Sequence, residues 1–327
     1  MNRKVSVAPM MDCTDRHERY FLRLISKNVL LYTEMIVSEA IDRGDKKKLL
    51  SFNINEKPLS LQVGGSSPKL LANAAKLGEE FGYDEINLNL GCPSKKVQKN
   101  RFGACLMKEP DLVADCLSKM HSSTKLPVTV KTRIGYDDQE DYETLYKFID
   151  KLKNTGVKTF IIHARKAMLG KFTPKQNLNI PPLKYDFVYN LKKDFNEEEI
   201  IINGGITSTD QIKNHLSKVD GVMIGRSVYH SPYFLSEIEK EVFKNNNTPT
   251  RQEVIGNLIP YVKEETKKGT RLNQIMRHTL GLFHGQTGSS FWKRYLSENL
   301  CVRDADIKKI DHIMDKVKLA PQARLVG

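Results

Sequence analysis

Cys92 stands where a strand-like run breaks. In Glu85–Leu90, Ile86, Leu88 and Leu90 alternate with Asn87 and Asn89, a period of two that marks a strand. Gly91-Cys92-Pro93 then stops the ladder, because proline cannot donate to it, and leaves a thiol at the lip of the strand. Ser94–Lys108 follows with Lys95, Lys96, Lys99, Arg101 and Lys108 and no acid. A thiol at a strand end beside a purely basic segment suits chemistry on an anionic substrate. Against this stands packing, since a free cysteine is usually a small buried hydrophobe. Cys13 and Cys105 are rival thiols, and Cys92 is favoured because a strand end holds it more rigidly.

Other chemistry-bearing residues fall at the ends of other strand-like runs. These runs are Val5–Pro9, Leu30–Met35, Leu59–Val63, Glu85–Leu90, Val128–Thr132, Thr159–His163, Ile200–Asn203 and Gly221–Ile224. Helical stretches open between them near Thr14, Pro68, Pro110, Gln139, Asp186, Ser208 and Ser227, many at capping residues, with a weakly marked helix near Ile36–Arg43. Eight strands alternating with helices predict a (β/α)8 TIM barrel. A doubly wound sheet would usually carry GxGxxG after an early strand, and none appears.

A barrel places its site at the C-terminal ends of its strands. Here those ends offer Pro9-Met10-Met11, Glu34, Gln62, Asn89 with Cys92, Lys131 with Arg133, His163 with Arg165, Asn203-Gly204-Gly205 and Gly225-Arg226. The glycines after the last two strands let backbone N–H groups approach a phosphate, although tight turns alone would also use them. Lys131 is either a ligand contact or a lysine paired with a barrel carboxylate.

Near residues 245–250 the composition turns polar, and beyond it Ile255–Lys267, Asn273–Phe283, Ser289–Asn299 and Ala305–Val317 read as helices. The expected domains are therefore 1–246, a barrel, and 247–327, a small helical domain. Trp292 and Tyr295 read as core or interface aromatics, whereas His278 and His284 read as solvated helix residues without metal spacing.

The net charge is +13, and three acid-free segments (Ser94–Lys108, Ala164–Tyr185 and Thr266–Ser297) hold sixteen basic residues. Such concentration predicts a polyanion footprint if the segments share a face. Five cysteines, odd in number and without CxxC spacing, argue against a disulfide framework or zinc ribbon and for a reducing cytosol. No apolar run is long enough to span a membrane, and no signal peptide is expected ahead of the first strand.

The motifs SVAPMMDCTDRHERYFLRLIS, YDEINLNLGCPS, FGACLM, PVTVKTRIG, FIIHARKA, INGGI, DGVMIGR and KRYLSEN, in this order over nearly the whole chain, resemble the dihydrouridine synthases, and their A subfamily in particular. These flavoenzymes reduce uridines in tRNA. The resemblance implies FMN across the barrel mouth, with Pro9, Met10 and Met11 beside the isoalloxazine and Gln62 and Lys131 on its polar edge. It implies His163, Asn203, Gly204, Gly205, Gly225 and Arg226 at the ribityl phosphate, Cys92 as general acid, and NADPH as reductant. It further implies Asn89 on the substrate nucleotide, Lys175 and Arg294 on tRNA, and Leu178 and Phe291 at docking positions where relatives often carry polar or basic groups. The expected target is the D-loop uridine pair 20 and 20a, with no metal, membrane or obligate protein partner, in the cytoplasm. Two rivals make different predictions: a small-molecule flavin oxidoreductase needs no basic segments, and a non-enzymatic RNA-binding protein would be colourless.

Overall fold

The computed structural model describes residues 1–302, 305, 308 and 309. Among the described residues are nine parallel strands: β1 Val5–Val7, β2 Leu31–Tyr32, β3 Ile36–Val37, β4 Leu59–Gly64, β5 Glu85–Asn89, β6 Val128–Arg133, β7 Thr159–His163, β8 Glu199–Asn203 and β9 Gly221–Ile224. The order β1-β9-β8-β7-β6-β5-β4-β2 closes through a bridge between Ser6 and Leu30, with Val7 N–H donating to the Leu30 carbonyl (2.9 Å). Eight staves in sequence order around a closed ring make the (β/α)8 barrel.

The second stave departs from the single run expected over Leu30–Met35. It is broken into β2 and β3, both paired with β4, so the first two residues of the weakly marked helix at Ile36 are strand and the helix is Ser38–Arg43. The other helices open within a few residues of their expected starts, where the caps are side chains: Ser67 accepts from Leu70 N–H, Asp141 from Thr144 N–H and Ser208 from Gln211 N–H. The basic segment after β5 is not an open loop. It folds into helix Lys95–Lys99 and a 3-10 turn, Gly103–Lys108.

The two faces of β5 explain the barrel. Ile86 points outward, so close to the helix Pro68–Glu80 that a Cβ on Gly78 would lie 2.3 Å from its methyl carbon. Glu85, Asn87 and Asn89 point inward, and they meet Ser60 and Gln62 of β4 and Thr129 of β6. The opposite half of the interior is apolar, a cluster of Ala8, Leu30, Tyr32, Ile161, Ile201 and Met223 with Met10 packed against it. The barrel interior is thus polar along β4–β6 and apolar over this cluster, and the polar half carries Cys92.

By compactness the chain forms two units, one of residues 1–12 and 29–225, the other of residues 13–28 and 226 onward. The second unit therefore starts earlier than the composition change at 246 and includes the helix Arg16–Ile25, which lies early in the sequence. Within it are Phe234–Glu241, Arg251–Lys267, Leu272–Met276, a 3-10 turn Arg277–Gly281 and Ser289–Asn299, with no strand among the described residues. The helix expected over Ala305–Val317 lies almost wholly outside the described residues. Trp292 is buried and donates to the Thr279 carbonyl (2.9 Å), as a core aromatic should. His278 is not the solvated residue expected from its spacing. It is 2% exposed and ion-paired to Asp15 (3.0 Å) and Glu18 (3.1 Å), which hold its pKa up at about 9 despite its burial. His284 is exposed.

Candidate active site at the barrel mouth

Asn89 is the last residue of β5, and its side chain turns the chain that follows. Its Oδ1 accepts from the N–H groups of Gly91 (3.1 Å) and Cys92 (3.0 Å). The Ala104 N–H donates to the Cys92 carbonyl (3.0 Å), tying the turn to the 3-10 segment, and a Cβ on Gly103 would fall 2.7 Å from that carbonyl oxygen. Gly103 also has φ of +75°, so glycine is required there twice over. Cys92 is half-buried, and burial raises its thiol pKa while the Arg133 and Lys131 charges pull the other way. The thiol thus keeps its proton at neutral pH, with the Arg133 and Lys131 side chains beside it.

Cys105 is a weaker rival. Its Sγ is committed to the Phe102 carbonyl (3.1 Å), three residues back in its own turn. Cys13 falls in the second unit.

Lys131 pairs in register with Asn89, and its Nζ donates to Asn203 Oδ1 (3.1 Å). No carboxylate lies within ion-pair distance of it among the described residues, so the alternative of a lysine neutralised by a barrel acid is not what the structure shows. Burial first, then Arg133, brings its pKa down to about 7. An ammonium this poorly compensated is costly without an anionic or hydrogen-bond-accepting ligand. Asn203 is itself fixed by donating to the Met223 carbonyl (2.8 Å). Gln62 donates to Asn87 Oδ1 (2.8 Å) and accepts from Asn89 (2.9 Å), which leaves one of its N–H groups uncommitted.

His163 pairs in register with Arg133 on one side and Asn203 on the other. Burial and the neighbouring Arg133, Lys131 and Arg165 keep it neutral, and its Nδ1 is buried with no hydrogen-bond partner. Gly204 and Gly205 follow with φ of +119° and +73°. A Cβ at either would press within 3.0 Å of Leu183, so these positions admit only glycine. Tyr185 donates to the Gly204 carbonyl (2.7 Å) and pins the turn. At Gly225, by contrast, a Cβ would meet only Met10 and Ala8 at ordinary contact distance, so the protein's own packing does not demand glycine.

Around this mouth the first unit collects Pro9, Met10, Gln62, Asn89, Cys92, Lys131, His163, Asn203, Gly204, Gly205 and Gly225 at strand ends. Met11 is beside them in sequence and 55% exposed. Arg226 directly follows Gly225 and opens the helix Arg226–His230. Lys175 is exposed on the short helix Pro174–Asn177, whose C-cap is Leu178. Arg294 and Phe291 are exposed on Ser289–Asn299 of the second unit.

One residue was named at the lip from sequence without a role and proves central. Arg133 is buried, and its Nε donates to the Gly91 carbonyl (2.9 Å). Its Nη1 reaches the carbonyls of Lys166 (3.0 Å) and Asn177 (3.2 Å). A single guanidinium therefore ties the cysteine turn to the loop that carries Lys175. Asn177, fully buried, shapes that loop by accepting from Met168 N–H (2.7 Å) and donating to the Met168 carbonyl (3.1 Å). The VKTR sequence shows an arginine on the inward face, but nothing local reveals that its acceptors are three carbonyls on two other segments.

The basic segments are less free than their composition suggests. Arg101 pairs with Glu109, Lys108 with Asp137, Lys166 and Lys184 with Glu140, and Arg277 with Asp15. Lys95, Lys96, Lys99, Lys171 and Lys175 have no ion pair among the described residues. No helix among these residues is long and apolar enough to cross a membrane, and no group of three or more His, Cys, Asp or Glu could hold a metal ion among them.

The family model described as dihydrouridine synthase (Dus) matches residues 6–318. Among curated proteins, the chain is 53% identical over 302 residues to a tRNA-dihydrouridine(20/20a) synthase of Synechocystis sp., which spans 92% of this chain and 90% of that one. Proteins of the same name from Shewanella oneidensis and Escherichia coli K12 are 51% and 50% identical, covering 95% and 96% of this chain and 92% and 91% of theirs. Among solved structures, a 2-naphthoyl-CoA reductase complex superposes with a TM-score of 0.54 over 74% of this chain and 50% of that one. At 11% identity, that likeness speaks to the barrel fold alone.

Proposed function

Since this chain belongs to the dihydrouridine synthase family, we propose that its barrel mouth reduces the C5=C6 bond of uridine in tRNA to 5,6-dihydrouridine, at D-loop positions 20 and 20a. The observation that carries the reading is the pairing of a protonated, half-buried thiol with a lysine that has no carboxylate partner, on adjacent strands of one mouth.

FMN fits the residues present. Lys131 and the uncommitted N–H of Gln62 offer donors to the polar edge of a flavin, and Pro9, Met10 and Met11 offer an apolar flank. The buried orphan nitrogen of His163, with Asn203, the glycine turn at Gly204-Gly205, Gly225 and Arg226, offers the phosphate end. Bound there, FMN reduced by NADPH supplies the hydride that adds to C6, the electrophilic end of the uracil double bond.

The chain's own task is the proton. Charge develops at C5 and O4 as the double bond is reduced, and Cys92 Sγ–H delivers its proton to C5. Lys131 and Arg133 stabilise the thiolate left behind, which is why a thiol with a raised pKa can still act as the acid. Asn89 orients the nucleotide while holding the cysteine turn. A uridine inside folded RNA must be extruded to reach this depth, which assigns backbone grip to Lys175, Arg294 and the basic segments, with Leu178 and Phe291 shaping the docking surface. Five free thiols suit a reducing cytoplasm.

The test is Cys92→Ala in the FMN-loaded protein. It should hold flavin at wild-type stoichiometry and be reduced by NADPH normally, yet lose dihydrouridine formation by at least about a hundredfold, as removal of a general acid does. Undiminished turnover would transfer the role to another group.

A further inference from the structure

The polar half of the barrel interior holds a line of hydrogen bonds running from its floor to the cysteine turn. At the floor, Glu85 is fully buried and ion-paired to Arg3 Nε (2.7 Å), and its Oε1 accepts from the hydroxyls of Tyr32, Ser60 and Thr129, each at 2.9 Å. Having spent its proton on Glu85, Thr129 Oγ1 can only accept, and Asn87 Nδ2 donates to it (2.9 Å). Asn87 Oδ1 accepts from Gln62 Nε2 (2.8 Å), Gln62 Oε1 accepts from Asn89 Nδ2 (2.9 Å), and Asn89 Oδ1 accepts from the Gly91 and Cys92 N–H groups.

Every amide in this line donates downward and accepts from above. The direction is dictated at both ends, by a carboxylate that only accepts and by backbone N–H groups that only donate. If one amide were turned over, a donor would face a donor or an acceptor an acceptor, in a region where Gln62, Asn87 and Thr129 are at most 1% exposed. We propose that Glu85 and Thr129 are positioning residues. Through the Asn87–Gln62–Asn89 ladder they fix the Asn89 oxygen against the Cys92 turn, and so set the orientation of a thiol several side chains away. The consequence for turnover rests on the acid role proposed above for Cys92; the ladder itself does not.

Thr129→Val preserves shape and removes the acceptor beneath Asn87, so that the ladder keeps only one of the two ends that fix its direction and is held less firmly. In the FMN-loaded protein, iodoacetamide alkylation of Cys92, read on its peptide by mass spectrometry, should speed up at least about fivefold, the scale of one lost hydrogen bond. The kcat for dihydrouridine formation should fall by a similar factor with KM for tRNA within about twofold, whereas Thr129→Ser should restore both values. Should the valine variant not fold, Glu85→Gln, which offers Thr129 a donor in place of an acceptor, should give the same two changes.

Wild-type alkylation in these variants would overturn the proposal, as would a serine variant no better than the valine. Faster alkylation with unaltered kcat would uphold the ladder and take the acid role from Cys92. A wild-type protein that makes no dihydrouridine would instead sink the reaction reading, and the alkylation measurement would still decide the ladder.

Discussion

Lys131 shows most directly which ligands the mouth favours. With its pKa held near 7 by burial and by Arg133, the lysine is only partly charged at neutral pH. A ligand that accepts from the ammonium must bring a proton onto it above that value. FMN affinity should therefore fall as pH rises from 7 to 9, by about tenfold over that range, since a shifted pKa is a coupling between proton and ligand. The FMN phosphate, with a second pKa about 6, is already mostly dianionic at pH 7 and contributes little slope of its own. Titration by fluorescence quenching checks this, and Lys131→Met should bind more weakly and without the pH slope. A pH-independent wild-type affinity would place Lys131 off the flavin. At this scale the sequence was readable wherever a residue's placement is local: Cys92 after a broken strand, glycines where a turn must open. It was unreadable where the job depends on what lies on the next strand, as for Glu85, Asn87 and Thr129. Nothing in their spacing shows that their side chains meet, and only the register of neighbouring strands brings β4, β5 and β6 into one hydrogen-bonded line.

Among the elements, the loop after β7 depends on a side chain from β6. Arg133 bonds the carbonyls of Lys166 and Asn177, and so fixes both ends of the segment that exposes Lys171 and Lys175. Arg133→Gln keeps a donor but cannot span two loops, so trypsin should cut after Lys171 and Lys175 several-fold faster, because local opening of a surface segment governs its cleavage. Unchanged cleavage would mean that Asn177 alone holds the loop. The strand-and-helix alternation made the barrel legible, since short apolar-rich runs survive at seven staves with boundaries shifted by a residue or two. The exceptions have physical causes. The second stave was misread because Thr33-Glu34-Met35 interrupts it, leaving two short strands on one partner. His278 was misread as solvated because the carboxylates that bury it belong to a helix some 260 positions earlier in the chain.

For the whole molecule, net charge is a poor guide until ion pairs are subtracted. Of the segment after β5, Arg101 and Lys108 face acids, whereas Lys95, Lys96 and Lys99 do not. If tRNA binds through counterion release, replacing those three unpaired lysines with glutamine should weaken binding and flatten the slope of log K against log salt by up to about three, one for each phosphate no longer neutralised. Arg101→Gln should change it less. Filter binding across a salt series measures both, and equal slopes in all variants would remove this segment from the RNA footprint.

The helix Arg16–Ile25 carries a consequence for how such a protein can be inherited. It is encoded between the first two staves of the barrel yet is buried with segments encoded after residue 225. Asp15, which caps it, and the fully interior Glu18 are neutralised by His278 and Arg277, from the far end of the gene. A recombination event that exchanged the tail for another would leave two largely buried acids without their cations, so the two units travel through descent as an indivisible pair.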